Sequence, residues 1–369
     1  MTDTDGVRKV TRKGLRDLTV EHADTSPAPT DGPLVDSYGR RIRNLRISVT
    51  DRCNLRCLYC MPLAEYDWVE RRELLTFEEI ERLARLFISL GAQKICLTGG
   101  EPLLRREIEV LAGKLARLPG LGALSLTTNG VLLADHAAAL RQAGVNRINV
   151  SLDTLKPERF RQIAQRGELE KVLAGIEAAR LAGFKPIKIN SVIERGVNDD
   201  EIPDLVEFAR ANGYTVRFIE YMDVGNANHW KPDRVVTKSE IVKQISARYA
   251  VEPAGREDAS APADNFRFLD GKGEFGVVAS VTEPFCRACT RARLTADGNL
   301  VTCLFSDCGH DLKGLMRAGA SDETITGRIR EIWKKRADRF SEERFEAMKS
   351  PEGYQPEGRR KIEMIVLGG

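Results

Sequence analysis

From Leu45 onward, short runs of alternating apolar and polar residues take turns with longer segments whose apolar positions recur at helical spacing. The alternating runs predict strands over 45–49, 94–98, 123–127, 147–151, 187–192 and 215–220. The segments between them carry helix-end marks. Thr76-Phe77-Glu78-Glu79 reads as a capping box, and Gly91 closes the helix that it opens, as Gly144, Gly183 and Gly213 close later ones. Six β-then-α units imply parallel strands joined by right-handed crossovers. The candidates are a doubly wound sheet and a barrel that stops short of eight strands.

The alternation decides between them. Strands covered by helices on both faces read as nearly continuous apolar runs, and these do not. One phase holds Leu45, Ile47, Ile95, Leu97, Ile148 and Val150; the other holds Arg46, Lys94, Cys96, Thr127, Arg147, Lys188, Asn190 and Arg217. If helices cover the first phase, the second lines an interior. A wet, cationic interior fits an incomplete TIM-type barrel of six β/α units better than a flat sheet, and the intervening helices argue against a solvent-facing antiparallel sheet. Several like charges that cannot pair with one another call for an anionic ligand, and phosphates suit Arg and Lys.

Beyond Met222 the rhythm changes to a helix around 239–249, short strand-like runs at 266–269 and 275–280, two helical stretches and a terminal Gly368–Gly369. The chain therefore divides into a polar, proline-bearing mobile extension (1–33), a barrel region (34–225) and a C-terminal region (226–369) expected to be a layer closing the barrel's open side. Of the 369 residues, 42% are hydrophobic and 30% charged, as in a soluble globular protein. No apolar stretch approaches a membrane span, and the first residues lack a signal-peptide core, so a cytoplasmic chain with no membrane partner is expected. A net charge of +3 is too small to imply nucleic acid.

In a reducing compartment, clustered cysteines read as metal ligands rather than disulfides. Six of the eight fall into two sets of three: Cys53-x3-Cys57-x2-Cys60, just past the first strand, and Cys286-x2-Cys289-x13-Cys303. Structural zinc sites and ordinary iron–sulfur clusters take four protein ligands; three leave one position for a ligand that is not protein. Three thiolates in a tight loop can hold three irons of a 4Fe-4S cluster. The alternatives are a zinc site completed by a distant histidine, of which the chain has only four, or free core thiols. Cys286-x2-Cys289 could also be half of a zinc site in a nucleic-acid-binding module, with Cys303 and Cys308 as further ligands. Thr98-Gly99-Gly100-Glu101-Pro102 follows the second strand, where glycines let backbone approach a ligand and Glu101 can accept from an ammonium.

With these motifs the chain resembles the radical S-adenosylmethionine enzymes. The second cysteine set, followed by Arg291-Ala292-Arg293, makes it similar to the MoaA family of GTP 3′,8-cyclases, over nearly the whole length from Leu34 to the terminal Gly-Gly. The resemblance implies two 4Fe-4S clusters and S-adenosylmethionine as cofactors, with GTP as substrate. In that family the first cluster cleaves S-adenosylmethionine, the resulting radical takes hydrogen from C3′ of GTP, and C3′ joins C8. The product, (8S)-3′,8-cyclo-7,8-dihydroguanosine 5′-triphosphate, opens molybdenum cofactor biosynthesis and passes to cyclic pyranopterin monophosphate synthase.

Carried over by motif, Cys53, Cys57 and Cys60 hold the first cluster, and Cys286, Cys289 and Cys303 the second. Tyr59, Gly100, Ser151 and Met222 contact S-adenosylmethionine. Arg46, Lys94, Thr127, Lys188, Arg217, Arg291, Ala292 and Arg293 contact GTP, and the Gly368–Gly369 tail reaches the active site. A reducing electron donor and a second copy of the chain complete the expected partners. A peptide-modifying radical enzyme with an auxiliary cluster is the alternative within the superfamily; it would bring a peptide-docking domain and more C-terminal cysteines. Two positions depart from the family pattern. Cys96 stands where an arginine is expected, with Lys94 or Arg147 as substitutes, and Cys308 is an additional thiol.

Overall fold

The computed structural model describes residues 33–368. Nearly all of the expected N-terminal extension, and Gly369, lie outside the described residues. All six expected strands form, within a residue or two of their expected limits: β1 (Asn44–Ser48), β2 (Lys94–Thr98), β3 (Ala123–Thr128), β4 (Arg147–Ser151), β5 (Ile187–Ile193) and β6 (Thr215–Glu220). They pair in parallel, in sequence order. The helix after β1 starts as the sequence indicates. Thr76 accepts from the Glu79 amide at 3.1 Å, and the Glu79 carboxylate accepts from the Thr76 amide at 2.8 Å.

The C-terminal region is more than a covering layer. It contributes β7 (Val251–Gly255), β8 (Asp264–Phe268), β9 (Glu274–Val278), β10 (Arg291–Leu294), β11 (Asn299–Val301) and β12 (His310–Asp311). These lengthen the same sheet at both edges. β10 adds in parallel to β1 and β9 adds in parallel to β6, and antiparallel strands follow outside each, giving the order β12-β11-β10-β1-β2-β3-β4-β5-β6-β9-β8-β7. The sequence reading misses β10 because Arg-Ala-Arg-Leu is too short and too basic to announce a strand.

The apolar phase packs under the helices. Leu45, Ile47, Leu97, Ile148, Val150 and Phe218 are fully buried in one continuous core. No helix among the described residues is long and apolar enough to cross a membrane.

At the carboxyl ends of the strands, buried carboxylates tie neighbouring loops together through backbone amides. Glu220, at the end of β6, accepts from Lys238 N (3.0 Å), Val281 N (2.8 Å) and Thr282 N (2.9 Å), binding the helix Lys238–Ser246 and the turn after β9. Glu201 accepts from Thr154 Oγ1 (2.6 Å) and Leu155 N (2.9 Å) in the loop after β4. Both acids are 0% exposed. Removing such an acceptor leaves buried amides unpaired, at a cost of about 1–3 kcal/mol each. Glu220→Ala is therefore expected to cost about 3 kcal/mol or more, read as a lower midpoint in urea unfolding, with Glu220→Gln losing less. Wild-type stability in Glu220→Ala would show that these ties do not hold the rim.

Candidate active site

The first cysteine loop leaves the carboxyl end of β1 and is fixed from three sides. Its backbone docks on the helix Pro157–Ala164 through Arg56 N to Ala164 O (2.9 Å) and Leu58 N to Ile163 O (3.1 Å). The Cys57 carbonyl closes a turn by accepting from Cys60 N and Met61 N. Cys53 Sγ accepts from Leu55 N (3.4 Å) and Asn129 Nδ2 (3.7 Å). Burial pushes the Cys53, Cys57 and Cys60 thiols up from their ordinary range, so bare thiolates are costly here. Among the described residues, no three His, Cys, Asp or Glu side chains converge on a point that would hold a single metal ion. A cluster, in which each thiolate takes a different iron, does not ask for that convergence.

The Gly-Gly-Glu-Pro loop is locked onto this one. Gly100 N donates to Thr50 O and Glu101 N to Arg52 O, both at 2.8 Å. A Cβ on Gly99 would overlap the Thr50 carbonyl, and one on Gly100 the Arg52 carbonyl. The glycines thus let the two loops' backbones touch. Glu101 does not offer its carboxylate to a ligand ammonium. It is 0% exposed, with Oε1 accepting from Leu103 N (3.0 Å) and Thr128 Oγ1 (2.7 Å), and Oε2 from Asn129 N (2.7 Å). Burial, only partly offset by those bonds, pushes its carboxyl up to about 7. Tyr59 donates its hydroxyl to Asp153 (2.9 Å), which also accepts from Val192 N (2.8 Å), so Asp153 ties the cysteine loop to β5. Ser151 ends β4, and Met222 packs beside Val224, Phe305 and Phe340.

The second set lies at the other end of the same sheet. Asn44, which opens β1, is level with Arg291, which opens β10, so Cys286 and Cys289 precede β10 at the strands' amino ends. β11 runs antiparallel to β10 and delivers Cys303 to the same end. Two buried arginines hold this set, and neither is conspicuous in the sequence. Arg336 donates to the carbonyls of Cys289 (3.0 Å) and Thr302 (3.2 Å) and to Asp36 (3.0 Å); Arg40 donates to Asp36 (2.6 Å) and to the carbonyls of Cys286 and Asp338 (2.8 Å each). Burial raises the Cys289 thiol, but Arg291 and Arg336 outweigh it and bring the group down to about 6; burial pushes Cys303 up to about 12. Cys308 lines a cavity of about 240 Å³ with His310, Arg328 and Glu331, bordered by Thr302 and Arg336.

Between the two ends, the polar phase forms cationic rows across the sheet. Arg293, Arg46, Cys96 and Ser125 are in register, as are Thr127, Asn149 and Lys188, and as are Ser151, Asn190 and Arg217. Cys96 Sγ lies 3.4 Å from Thr127 Oγ1, a neutral gap in its row. Burial and the nearby Arg46 and Arg291 push the Arg293 guanidinium down from its ordinary range; burial, then Arg217, does the same to Lys188. Lys94 and Arg147 already hold ion-pair partners, Asp258 and Glu257 at 3.0 Å each. Ala292 does not join this face. Strand alternation turns its methyl into the core, 0% exposed, opposite Arg291 and Arg293. Gly368 lies against this face: Arg293 donates to its carbonyl at 3.2 Å, and a Cβ there would lie 2.5 Å from Thr98 Cγ2.

Residues 47–209 match the radical SAM superfamily and residues 214–342 match Molybdenum Cofactor Synthesis C. The chain is similar to the GTP 3′,8-cyclase of Acidothermus cellulolyticus, 49% identical over 91% of this chain and 99% of that one. It is also similar to GTP 3′,8-cyclase 3 of Mycobacterium tuberculosis, at 47% over 92% and 91%, and to the GTP 3′,8-cyclase of Xanthomonas campestris, at 45% over 93% and 99%. Among solved structures, Streptococcus suis SuiB bound to S-adenosylmethionine shares the fold, with a TM-score of 0.56 and 16% identity over 79% of this chain and 68% of that one. Identity of this extent along nearly the full length, with both family regions in place, makes the chain a member of the GTP 3′,8-cyclase (MoaA) family of radical S-adenosylmethionine enzymes.

Proposed function

We propose that the chain converts GTP to (8S)-3′,8-cyclo-7,8-dihydroguanosine 5′-triphosphate, the first step of molybdenum cofactor biosynthesis, within an incomplete barrel flanked by two 4Fe-4S clusters. One observation carries the site assignment: the two cysteine sets lie at opposite ends of adjacent strands, with cations on the face between them. The five residues of β1 span ~17 Å at 3.3–3.4 Å per residue. A nucleotide lying along that face would reach from one end toward the other.

Cys53, Cys57 and Cys60 would hold the cluster that, with S-adenosylmethionine, supplies one-electron cleavage from an external reductant. Tyr59, Gly100, Ser151 and Met222 would seat S-adenosylmethionine beside it. Cys286, Cys289 and Cys303 would hold the second cluster and leave one iron position for guanine. Arg46, Lys94, Thr127, Lys188, Arg217, Arg291 and Arg293 would orient GTP, and burial of several of these cations favours a polyanion over water. The Gly368–Gly369 tail would hold Arg293 through the Gly368 carbonyl. The working division is a barrel region of 34–225 and a second-cluster region of 226–369. The product would pass to cyclic pyranopterin monophosphate synthase, in the cytoplasm, with a homodimer as the proposed assembly.

Anaerobic reconstitution is expected to give about eight irons per chain, and 5′-deoxyadenosine is expected to form only when GTP is present. Zinc in place of iron, or release independent of GTP, would contradict the reading. Arg293→Ala is expected to weaken GTP binding at least tenfold with iron content unchanged. Arg291→Ala should do more, because Arg291 Nε also donates to Cys289 Sγ at 3.4 Å; the second cluster's iron should become labile as well. Equal iron retention in both variants would mean that this contact does not support the cluster.

A further inference from the structure

Glu257 and Asp258 sit in the loop joining β7 to β8, the pair of strands at one edge of the sheet. Their carboxylates nevertheless reach cations on β2, β4 and β5, well inside it. Glu257 accepts from Arg147 Nη1 at 3.0 Å and from Lys188 Nζ at 3.4 Å, and Asp258 accepts from Lys94 Nζ at 3.0 Å. Two of these three cations, Lys94 and Lys188, belong to the proposed GTP set. The third, Arg147, stands beside them on the polar face.

We infer that Glu257 and Asp258 are internal stand-ins for the substrate's phosphates, holding the phosphate cations until GTP displaces them, and that they thereby set the affinity for GTP. This inference rests on the assignment of the cationic face to GTP.

The anchoring of the loop agrees with such a role. Its base is fixed: Arg256 is paired to Asp264 at 2.7 Å and lies over the Phe285 ring. Its tip is held by the three ion pairs and by the local turn in which Ser260 donates to Asp258. Most groups at the tip are wet, with side-chain exposures of 42% for Glu257, 36% for Asp258, 41% for Arg147 and 39% for Lys94, whereas Lys188 is 14% exposed and its pair, at 3.4 Å, is the longest of the three. Ion pairs as exposed as the first two are weak. They are strong enough to order a short loop, yet a triphosphate, with several charged oxygens on one ligand, outbids two separate carboxylates for the same cations. When displaced, the loop frees Arg147 to join Lys94 and Lys188. That would supply a cation close to the row in which Cys96 supplies none.

The test is equilibrium dialysis of GTP, tripolyphosphate and guanosine against the anaerobically reconstituted protein, comparing wild type with Glu257→Gln/Asp258→Asn, Glu257→Gln and Lys188→Ala. The double variant is expected to bind GTP and tripolyphosphate about tenfold more tightly, the single variant severalfold, and guanosine unchanged. Both substitutions keep side-chain size at partly exposed positions, and unchanged iron content confirms an intact protein. Unchanged or weaker GTP binding in the double variant, while Lys188→Ala loses GTP, overturns the inference and leaves the GTP site standing. A gain of equal size for guanosine also overturns it, because the loop would then obstruct the cavity rather than compete for phosphate. Unaltered GTP binding in Lys188→Ala would fault the site assignment itself, and the inference with it.

Discussion

Buried carboxylates that accept backbone amides are the constraint on which the rest of this site depends. The strands end in loops whose amides have no ladder to join, and burying them unpaired would cost more than a folded chain can spare. Glu101 joins the loops after β2 and β3, Asp153 joins the first cysteine loop to β5, Glu201 joins the loops after β4 and β5, and Glu220 joins β6 to the turn after β9. Three of these ties link loops of neighbouring strands, and the Asp153 tie reaches across from the loop after β1 to β5. The first cysteine loop inherits its position from them: Asn129, whose backbone amide Glu101 holds, points its side chain at Cys53 Sγ. Charged acceptors do this better than neutral ones, because a charge-assisted bond is about twice as strong and each oxygen can take more than one donor.

The polar face has the opposite character. At the rim, buried charge is satisfied by the protein; on the sheet, burial first and the neighbouring cations second push Arg293 and Lys188 down from their ordinary range. Beside the Glu257 and Asp258 pairs, Arg293 donates to the Gly368 carbonyl, and Cys289 and Cys303 act on it from the second cysteine set. Under the proposed assignment of GTP to this face, a rim already ordered by its own hydrogen bonds would leave less of the binding energy to be spent on ordering the protein.

The six parallel strands β1 to β6 are legible because each declares two faces. The alternation of Leu45, Arg46 and Ile47 gives the register, the buried side and the cationic side at once. The cysteine sets were legible by count and spacing. What stayed hidden depends on partners distant in sequence. Arg336 and Arg40 look like ordinary surface arginines, yet both are buried against Asp36 and the second cysteine set. The Glu101 motif suggests a ligand contact, whereas the carboxylate is buried and accepts from residues 103, 128 and 129. Ala292 shows the converse: a motif named three consecutive residues, while strand alternation can present only the first and third to one face.

The placement of β10 explains how two regions with separate family signatures share one sheet. If the C-terminal region merely covered the barrel, the second cysteine set could sit at any height above it. Pairing β10 with β1 fixes Arg291 level with Asn44 and Arg293 level with Arg46, and a slip of one residue would turn both arginines into the core. The ladder thus fixes which ends of two adjacent strands the cysteine sets adjoin. The same register places Arg293 where the tail can reach it. There Gly368, at φ +69°, lies so close to Thr98 and Gly99 that a side chain would have to displace the end of β2. A glycine at that point is therefore dictated by the geometry of the sheet, and the tail's approach to the first cysteine loop follows from the strand that brings in the second.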